Sequence, residues 1–203
     1  MSNPAIQHLM KIKLILAILI LLSTQAFSQS KNSISLYYGV AANNVNIHGD
    51  IGDYGYDGKS ATIIGFGYAH DLSNSFALET GLQYSSNKFV QNYIIPDRGE
   101  ILSPGRAKLI TVPIYGKYTF LKYLYVNAGL LVDFDFGHDN DTGINEQKGI
   151  GAEIGVGGKY NFGPVTVFIN PFLLEHRLIG FNSNGRTNSI ENAGVKFGVG
   201  YNF

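Results

Sequence analysis

The chain has 203 residues and balances 15 lysines and arginines against 15 aspartates and glutamates, with 13 tyrosines, 13 phenylalanines and 25 glycines. A chain of this length forms one ordinary domain, and its balanced charge gives no basic field that would attract nucleic acid. Cysteine is absent, which excludes a disulfide framework, a thiolate metal site, a thiol nucleophile and a lipid-modified cysteine.

The N-terminal segment has the three parts of a secretory signal peptide. Lys11 and Lys13 precede an apolar run over residues 14–22, and the small-x-small triplet Ala26, Phe27, Ser28 follows. The pattern predicts a signal peptide over residues 1–28 that is cleaved before Gln29. Residues 1–9 form an upstream extension if Met10 is the true start. The alternative is a retained inner-membrane anchor, but the run is far shorter than the roughly 20 residues that a spanning helix needs.

Beyond residue 29 the apolar residues alternate with period two, which is typical of β-strands. In chain order the pattern predicts eight strands, at residues 33–41, 61–70, 75–85, 109–120, 123–136, 150–162, 164–176 and 195–203. The fifth segment is the clearest, because Val126, Leu130 and Val132 share one face while Asn127 and Asp133 share the other. The seventh is the least regular.

The connections between these segments alternate between short and long. Those after the second, fourth and sixth strands are tight turns, and the other four are long and polar. An even number of strands, apolar residues outside and small or charged residues inside are typical of a transmembrane barrel. We therefore predict an all-β, eight-stranded antiparallel up-and-down transmembrane β-barrel over residues 29–203. The alternative is a soluble sandwich, and a soluble barrel would place its apolar face inward.

Aromatic residues cluster near the tight turns and at the end of the chain, as in the girdles at a membrane interface. They predict that the turns face the periplasm and the long connections face outward. The closing stretch "VKFGVGYNF" places its apolar residues at every second position and ends on an aromatic. It resembles the signal that the outer-membrane assembly machinery reads, which would consist of Val195, Phe197, Val199, Tyr201 and Phe203. We expect this strand to pair with the first and close the barrel.

The runs "LITVPIYGKY", "YLYVNAGLL" and "GIGAEIGVGGKYNFGPVTVFI", together with the closing "KFGVGYNF", resemble the small outer-membrane β-barrel proteins of the Bacteroidetes that are often labelled PorT-like. The resemblance covers roughly residues 33–203. It departs from the family in the seventh strand, where many members have an inward Arg and Tyr and this chain reads "INPFLLEH". The resemblance implies an outer-membrane barrel and, for most members, no assigned biochemical activity.

An eight-stranded barrel has an interior that side chains can fill. The inward positions include charges of both signs, and buried charges are costly unless they are paired. We therefore predict a lumen network of Glu79, Lys117, Asp133, Asp135, Glu153, Lys159 and Lys196 that plugs the barrel. Glu79 and Lys117 are the best candidate pair because they lie near the same ends of adjacent strands. An ion or proton pathway along these charges is the alternative.

The sequence contains no catalytic, cofactor-binding or metal-binding constellation that we can assign. The stretch "DFDFGHDNDTGINE" concentrates carboxylates, but its spacing does not match an EF-hand, and a solvated acidic loop is the favoured interpretation. The His-x-Ser spacing of lipid A deacylases is absent. His176 and the other histidines are interpreted as polar surface at the barrel rim. We expect no cofactor and no enzymatic activity.

The sequence therefore favours a structural or interaction role in the cell envelope. Its expected partners are outer-membrane lipid and lipopolysaccharide, the barrel assembly machinery during biogenesis, and an envelope protein contacted by loop aromatics Tyr54, Tyr56 and Tyr93. These tyrosines could also simply pack the loops together. The alternatives are a lipid-modifying outer-membrane enzyme and a narrow gated channel.

Overall fold

A computed structural model describes residues 31–48, 54–95, 99–138, 144, 146–181 and 187–203. The predicted signal peptide lies outside the described residues. Eight antiparallel strands, each hydrogen-bonded to its neighbours in sequence, form a closed barrel. They are β1 (Asn32–His48), β2 (Tyr54–Asp71), β3 (Phe76–Ile95), β4 (Gly99–Phe120), β5 (Leu124–His138), β6 (Gly149–Phe162), β7 (Val165–Gly180) and β8 (Thr187–Asn202). The predicted fold class is confirmed.

The first and last strands close the barrel, as the sequence predicts. Their antiparallel register runs from Ser33 opposite Asn202 to His48 opposite Thr187. Two backbone hydrogen bonds extend the pairing beyond Asn202, because Asn32 donates to the Phe203 carbonyl at 3.2 Å and Phe203 donates back to Asn32 at 2.8 Å. Closure leaves no unpaired sheet edge along this seam. No helix in the described part of the chain is long and apolar enough to cross a membrane.

Each strand has one apolar face outside and one face in the lumen. The outward side chains of Leu36, Leu82 and Leu130 are 66%, 54% and 56% exposed, whereas the inward side chains of Ile63 and Leu131 are fully buried. Large apolar side chains exposed on all sides of a barrel would be unfavourable in water and are favourable in hydrocarbon. The outer surface is therefore matched to a lipid environment.

The barrel has two different ends. The short turns after β2, β4 and β6 lie at one end with Asn32 and Phe203, and we call this the turn end. The loop end holds the other connections. Aromatic contacts mark the turn end, since the stacked rings of Tyr123 and Tyr160 lie 5.8 Å apart between centres and the tilted rings of Tyr160 and Phe162 lie 4.7 Å apart. Such rings are enriched at membrane interfaces.

The strands continue much further at the loop end than the sequence predicts. β3 has 20 residues and β4 has 22, and they stay paired out to Ile95 opposite Gly99. Stretches that read as long polar connections are thus largely β-structure, because inward residues such as Phe89 and Ala107 form an apolar cluster beyond the membrane band. Beyond the hydrocarbon, a strand can have polar side chains on its outer face and still form backbone hydrogen bonds with its neighbours.

Close packing in the lumen explains part of the glycine content. Tyr37 lies directly opposite Gly65 in the β1–β2 register, and a Cβ at Gly65 would collide with the Tyr37 ring. Tyr125 has the same relation to Gly157 between β5 and β6. A flat ring fits inside so narrow a barrel when its cross-strand neighbour has no side chain.

Candidate functional site

The centre of the lumen holds a buried ion pair. The Lys196 ammonium on β8 lies 2.6 and 2.7 Å from the two carboxylate oxygens of Glu153 on β6, and the Tyr115 hydroxyl donates to the same carboxylate at 2.7 Å. The ammonium also lies 4.6 Å from the centre of the Phe172 ring and 5.4 Å from that of Tyr37. All charged atoms of the pair therefore have close partners, which is the condition under which buried charges are tolerated.

A second ion pair lies closer to the turn end. The Lys117 ammonium donates to the Glu79 carboxylate at 2.5 Å, and both side chains are partly exposed to the lumen. Lys117 also lies 4.9 Å from the centre of the Tyr125 ring. The structure thus brings together the two residues that the sequence selects as the best candidate pair. The contact joins two adjacent strands, β3 and β4, so no other strand lies between the two side chains.

Asp133 does not face a lysine as the predicted network requires. Its carboxylate accepts hydrogen bonds from the Thr111 hydroxyl at 2.7 Å and from the Arg177 backbone at 3.3 Å, and it lies 2.9 Å from Nδ1 of His176. Gly151 on β6 lies between Asp133 and His176, and because it has no side chain it leaves the space in which these two side chains meet. The predicted interpretation of His176 as rim surface is wrong, because its side chain is 0% exposed.

Two further members of the predicted network, Lys159 and Asp135, make contacts outside the two ion pairs. Lys159 donates to the Thr119 hydroxyl at 3.1 Å, and no carboxylate lies within salt-bridge distance of it in the described part of the chain. Asp135 accepts backbone hydrogen bonds from Gly137 at 2.9 Å and Gln147 at 3.0 Å, so it holds the β5–β6 connection. The predicted single network is therefore replaced by separate clusters.

The lumen is filled in its loop-end half and open in its turn-end half. A cavity of about 460 Å³, which we call the vestibule, reaches from Ser73 and Asn74 at the turns to Glu153 and Lys196. Small inward residues such as Gly67 line it. The structure thus differs from the prediction of a lumen filled throughout, because the inward rings of Tyr125 and Phe168 line this half of the lumen without filling it.

The loop end is closed by an apolar cluster. Val45, Phe89, Ala107, Ile144 and Ile190 are buried together, and Tyr56 packs against them. The ring of Tyr56 meets that of Phe89 edge-on at 5.8 Å between centres. Of the three loop tyrosines proposed as partner contacts, Tyr56 is therefore a packing residue, while the side chains of Tyr54 and Tyr93 lie outside the described residues. Ile144 follows β5, and its side chain is buried in this cluster.

The acidic stretch after β5 is only partly described, since Asp139, Asp141 and the side chain of His138 lie outside the described residues. Glu146 forms an exposed salt bridge with Lys148 at 2.9 Å, and its carboxylate raises the pKa of the Lys148 ammonium. Among the residues that the structure describes, no group of three or more acidic or histidine side chains could hold a metal ion.

A closed barrel with an apolar outer surface, aromatic rings at one end and a charged interior defines an integral outer-membrane β-barrel protein. The chain belongs to the family described as "Outer membrane protein beta-barrel domain", whose model matches residues 14–203. It therefore lies in the outer membrane. In this class the short turns face the periplasm and the longer connections face outward, so the vestibule opens to the periplasm.

The chain is similar, at low identity, to several solved outer-membrane proteins. OprG from Pseudomonas aeruginosa is 12% identical, with 86% of this chain and 96% of that chain covered at a TM-score of 0.49. The N-terminal barrel of OprF from the same organism is 19% identical, with 86% and 100% covered at 0.42. The protease OmpT from Escherichia coli is 12% identical, with 89% and 100% covered at 0.40. No curated protein sequence matches the chain significantly.

Proposed function

We propose that this protein is a closed, non-conducting platform in the outer membrane, whose extended outer strands contact partners outside the cell or in the envelope. The role is structural or interactive. The observation that supports it most directly is the closure of the lumen at two successive levels, by the Glu153–Lys196 cluster and by the apolar cluster around Phe89 and Ile144.

These two closures differ in chemistry, and this difference disfavours a gated channel. An ion that entered the vestibule would meet a paired carboxylate and ammonium that three aromatic rings surround. Beyond that level it would meet buried apolar side chains, where an ion without its hydration shell is unfavourable. One movement would not open both levels.

The wall formed by β3 and β4 supports the interaction role. A tilted strand crosses hydrocarbon with about 9 to 11 residues, whereas these strands have 20 and 22. Roughly half of each strand therefore projects outward as paired β-structure, a reach on the order of 30 Å before tilt. A rigid surface loses less conformational entropy on binding than a flexible loop of the same length.

A non-enzymatic role is also part of the proposal. It is supported by the burial of the His176–Asp133 pair, which is inaccessible to lipid and solvent alike. A catalytic base has to reach its substrate within hydrogen-bonding distance. The PorT-like Bacteroidetes branch, which the sequence resembles, remains our proposal for the finer placement within the family.

Bilayer recording tests the closed lumen. We expect the purified protein in planar bilayers to give no discrete conductance steps. The matched variant Lys196→Ala/Phe89→Ala removes one group from each closure and should give measurable leak if the barrel still assembles. Regular open and closed levels in the wild-type protein would overturn the proposal in favour of a channel.

A shortened β3–β4 hairpin tests the interaction role. Residues 91–103 are replaced by Asn-Gly, which joins Val90 to Pro104 across a two-residue turn and leaves the membrane band intact. Cross-linking on whole cells should capture envelope partners with the full chain and lose them with the shortened one. Heat-modifiable migration on denaturing gels controls for assembly. Identical cross-linked products from both chains would exclude the wall as the contact surface.

A further inference from the structure

Four basic residues form a row on the outward side of β2, β3 and β4 near the loop end, and we call this row the basic collar. Lys88 on β3 lies directly opposite Arg106 on β4. Lys108 is the next outward-facing residue of β4 toward the membrane band, and Lys59 lies in the bulge of β2 opposite Lys88. Like charges directly opposite each other destabilise a sheet. In the described part of the chain, none of the four has an opposite charge within salt-bridge distance. Among the residues that the structure describes, no salt bridge thus compensates this repulsion.

The position of the collar along the strands indicates what could compensate it. Counted from the turn end, the outward apolar stretches run over residues 76–84 of β3 and 110–118 of β4, nine residues each, which is the length that a tilted strand needs to cross hydrocarbon. They are followed outward by Ser86 with Lys108, then Lys88 with Arg106, and only then by the apolar pair Val90 with Pro104. Two residues of a tilted strand advance about 5 Å along the membrane normal. The collar therefore lies roughly 5 to 10 Å beyond the hydrocarbon band, which is the depth of the lipid headgroups.

The opposite side of the barrel has the opposite charge. Glu175 and Glu191 lie directly across from each other on β7 and β8, and the Asn46 amide donates to Glu191 at 3.3 Å. Among the described residues, the collar is thus confined to one side and is not a ring that would merely orient the protein in the membrane. A second copy could in principle present this acidic side to the collar, so the experiment has to separate the two occupants.

We infer that the basic collar binds the phosphate groups of phosphorylated lipid A in the outer leaflet. Arg106 can donate two parallel hydrogen bonds to a phosphate, and the lysines add point charges on either side. Phosphates at headgroup depth would relieve the repulsion between Lys88 and Arg106, whereas the acyl chains would lie along the apolar outward face below Tyr84. The inference goes beyond the proposed function, since it concerns a lipid partner and not a protein contacted by the projecting wall.

Native mass spectrometry of the full barrel in detergent, titrated with bisphosphorylated lipid A or its dephosphorylated form, tests this site. The wild-type protein should retain the phosphorylated lipid and lose the dephosphorylated one. Lys88→Gln/Arg106→Gln should weaken retention about 25-fold, because each basic side chain near an anionic surface contributes roughly fivefold. The charge-matched control Lys31→Gln/Lys148→Gln should retain the lipid as the wild type does.

The remaining outcomes overturn the inference. Equal retention of both lipids would show that phosphate is not recognised, and equal retention by the collar variant and the control would show that the collar is not the site. If the collar binds a second copy instead, Lys88→Gln/Arg106→Gln and Glu175→Gln/Glu191→Gln should both abolish dimers, and neither variant should change lipid retention. Heat-modifiable migration of each variant identifies the assembled barrels, and only these are compared.

Discussion

Lys196 on β8 and Glu153 on β6 form an ion pair across the intervening strand β7, with the ammonium 2.6 and 2.7 Å from the two carboxylate oxygens. Both residues are almost fully buried. Replacing Lys196 with Met would leave the Glu153 charge in place, with the Tyr115 hydroxyl as its remaining hydrogen-bond partner among the described residues. We expect the free energy of unfolding in urea to fall by about 3 to 5 kcal/mol.

Two variants calibrate that measurement. Lys117→Met breaks the more exposed pair with Glu79 and should cost only about 1 kcal/mol or less, because water can solvate the remaining carboxylate. Adding Glu153→Gln to Lys196→Met removes the unpaired charge and should recover much of the loss. Equal destabilisation by Lys196→Met and Lys117→Met would contradict the view that the central pair is desolvated.

The buried His176 is expected to contribute to stability through Asp133. In His176→Leu the Asp133 carboxylate keeps the Thr111 hydroxyl and the Arg177 backbone as donors but loses its third partner. A buried group that loses a partner costs about 1 to 3 kcal/mol. His70→Leu is the control, since the exposed His70 ring lies at the turn end, where its Nδ1 is 2.8 Å from the side-chain oxygen of Asn32. The midpoint of heat-modifiable migration should fall for His176→Leu and stay within error for His70→Leu.

Which residues face the lumen could be predicted from alternation, because a strand has only two faces. This is why Glu153, Lys196, Glu79 and Lys117 are all inward. Which of them meet could be predicted only for Glu79 and Lys117, whose strands are neighbours. Contacts across an intervening strand depend on the stagger between the strands of the barrel, and the alternation of apolar and polar residues carries no information about this stagger.

The contact between Asp133 and His176 shows the same limit. These residues belong to β5 and β7, and they meet because Gly151 on β6 presents no side chain between them. The sequence does contain a signal for the inward position of His176, because this residue follows the inward Phe172 and Leu174 at every second position of the strand. The extended outer strands had no such signal, because polar residues outside the membrane read equally well as loop and as strand.

Adjacent glycines on β6 give a matched test of lumen packing. Gly157 faces inward, and an added Cβ would collide with the Tyr125 ring, whereas at Gly158 the nearest heavy atom would be at an ordinary 3.8 Å. Gly157→Ala should therefore cost about 1 to 3 kcal/mol, which is typical of overpacking. Gly158→Ala should be neutral or slightly stabilising. Urea unfolding of the two variants decides this, and a larger loss for Gly158→Ala would mean that the faces of β6 are reversed.

The turn between β4 and β5 contains two residues in a left-handed backbone conformation, Leu121 at φ 50° and Lys122 at φ 65°. Residues with a Cβ pay roughly 1 to 2 kcal/mol for this conformation, and glycine does not. Lys122→Gly should therefore stabilise the barrel by about 1 kcal/mol, although it removes the contact of the Lys122 ammonium with the Tyr123 ring. Lys122→Ala removes the same contact and keeps the backbone cost, so it should be neutral or destabilising. A higher urea midpoint for Lys122→Gly than for Lys122→Ala would establish backbone conformation as the cause, and identical midpoints would exclude it.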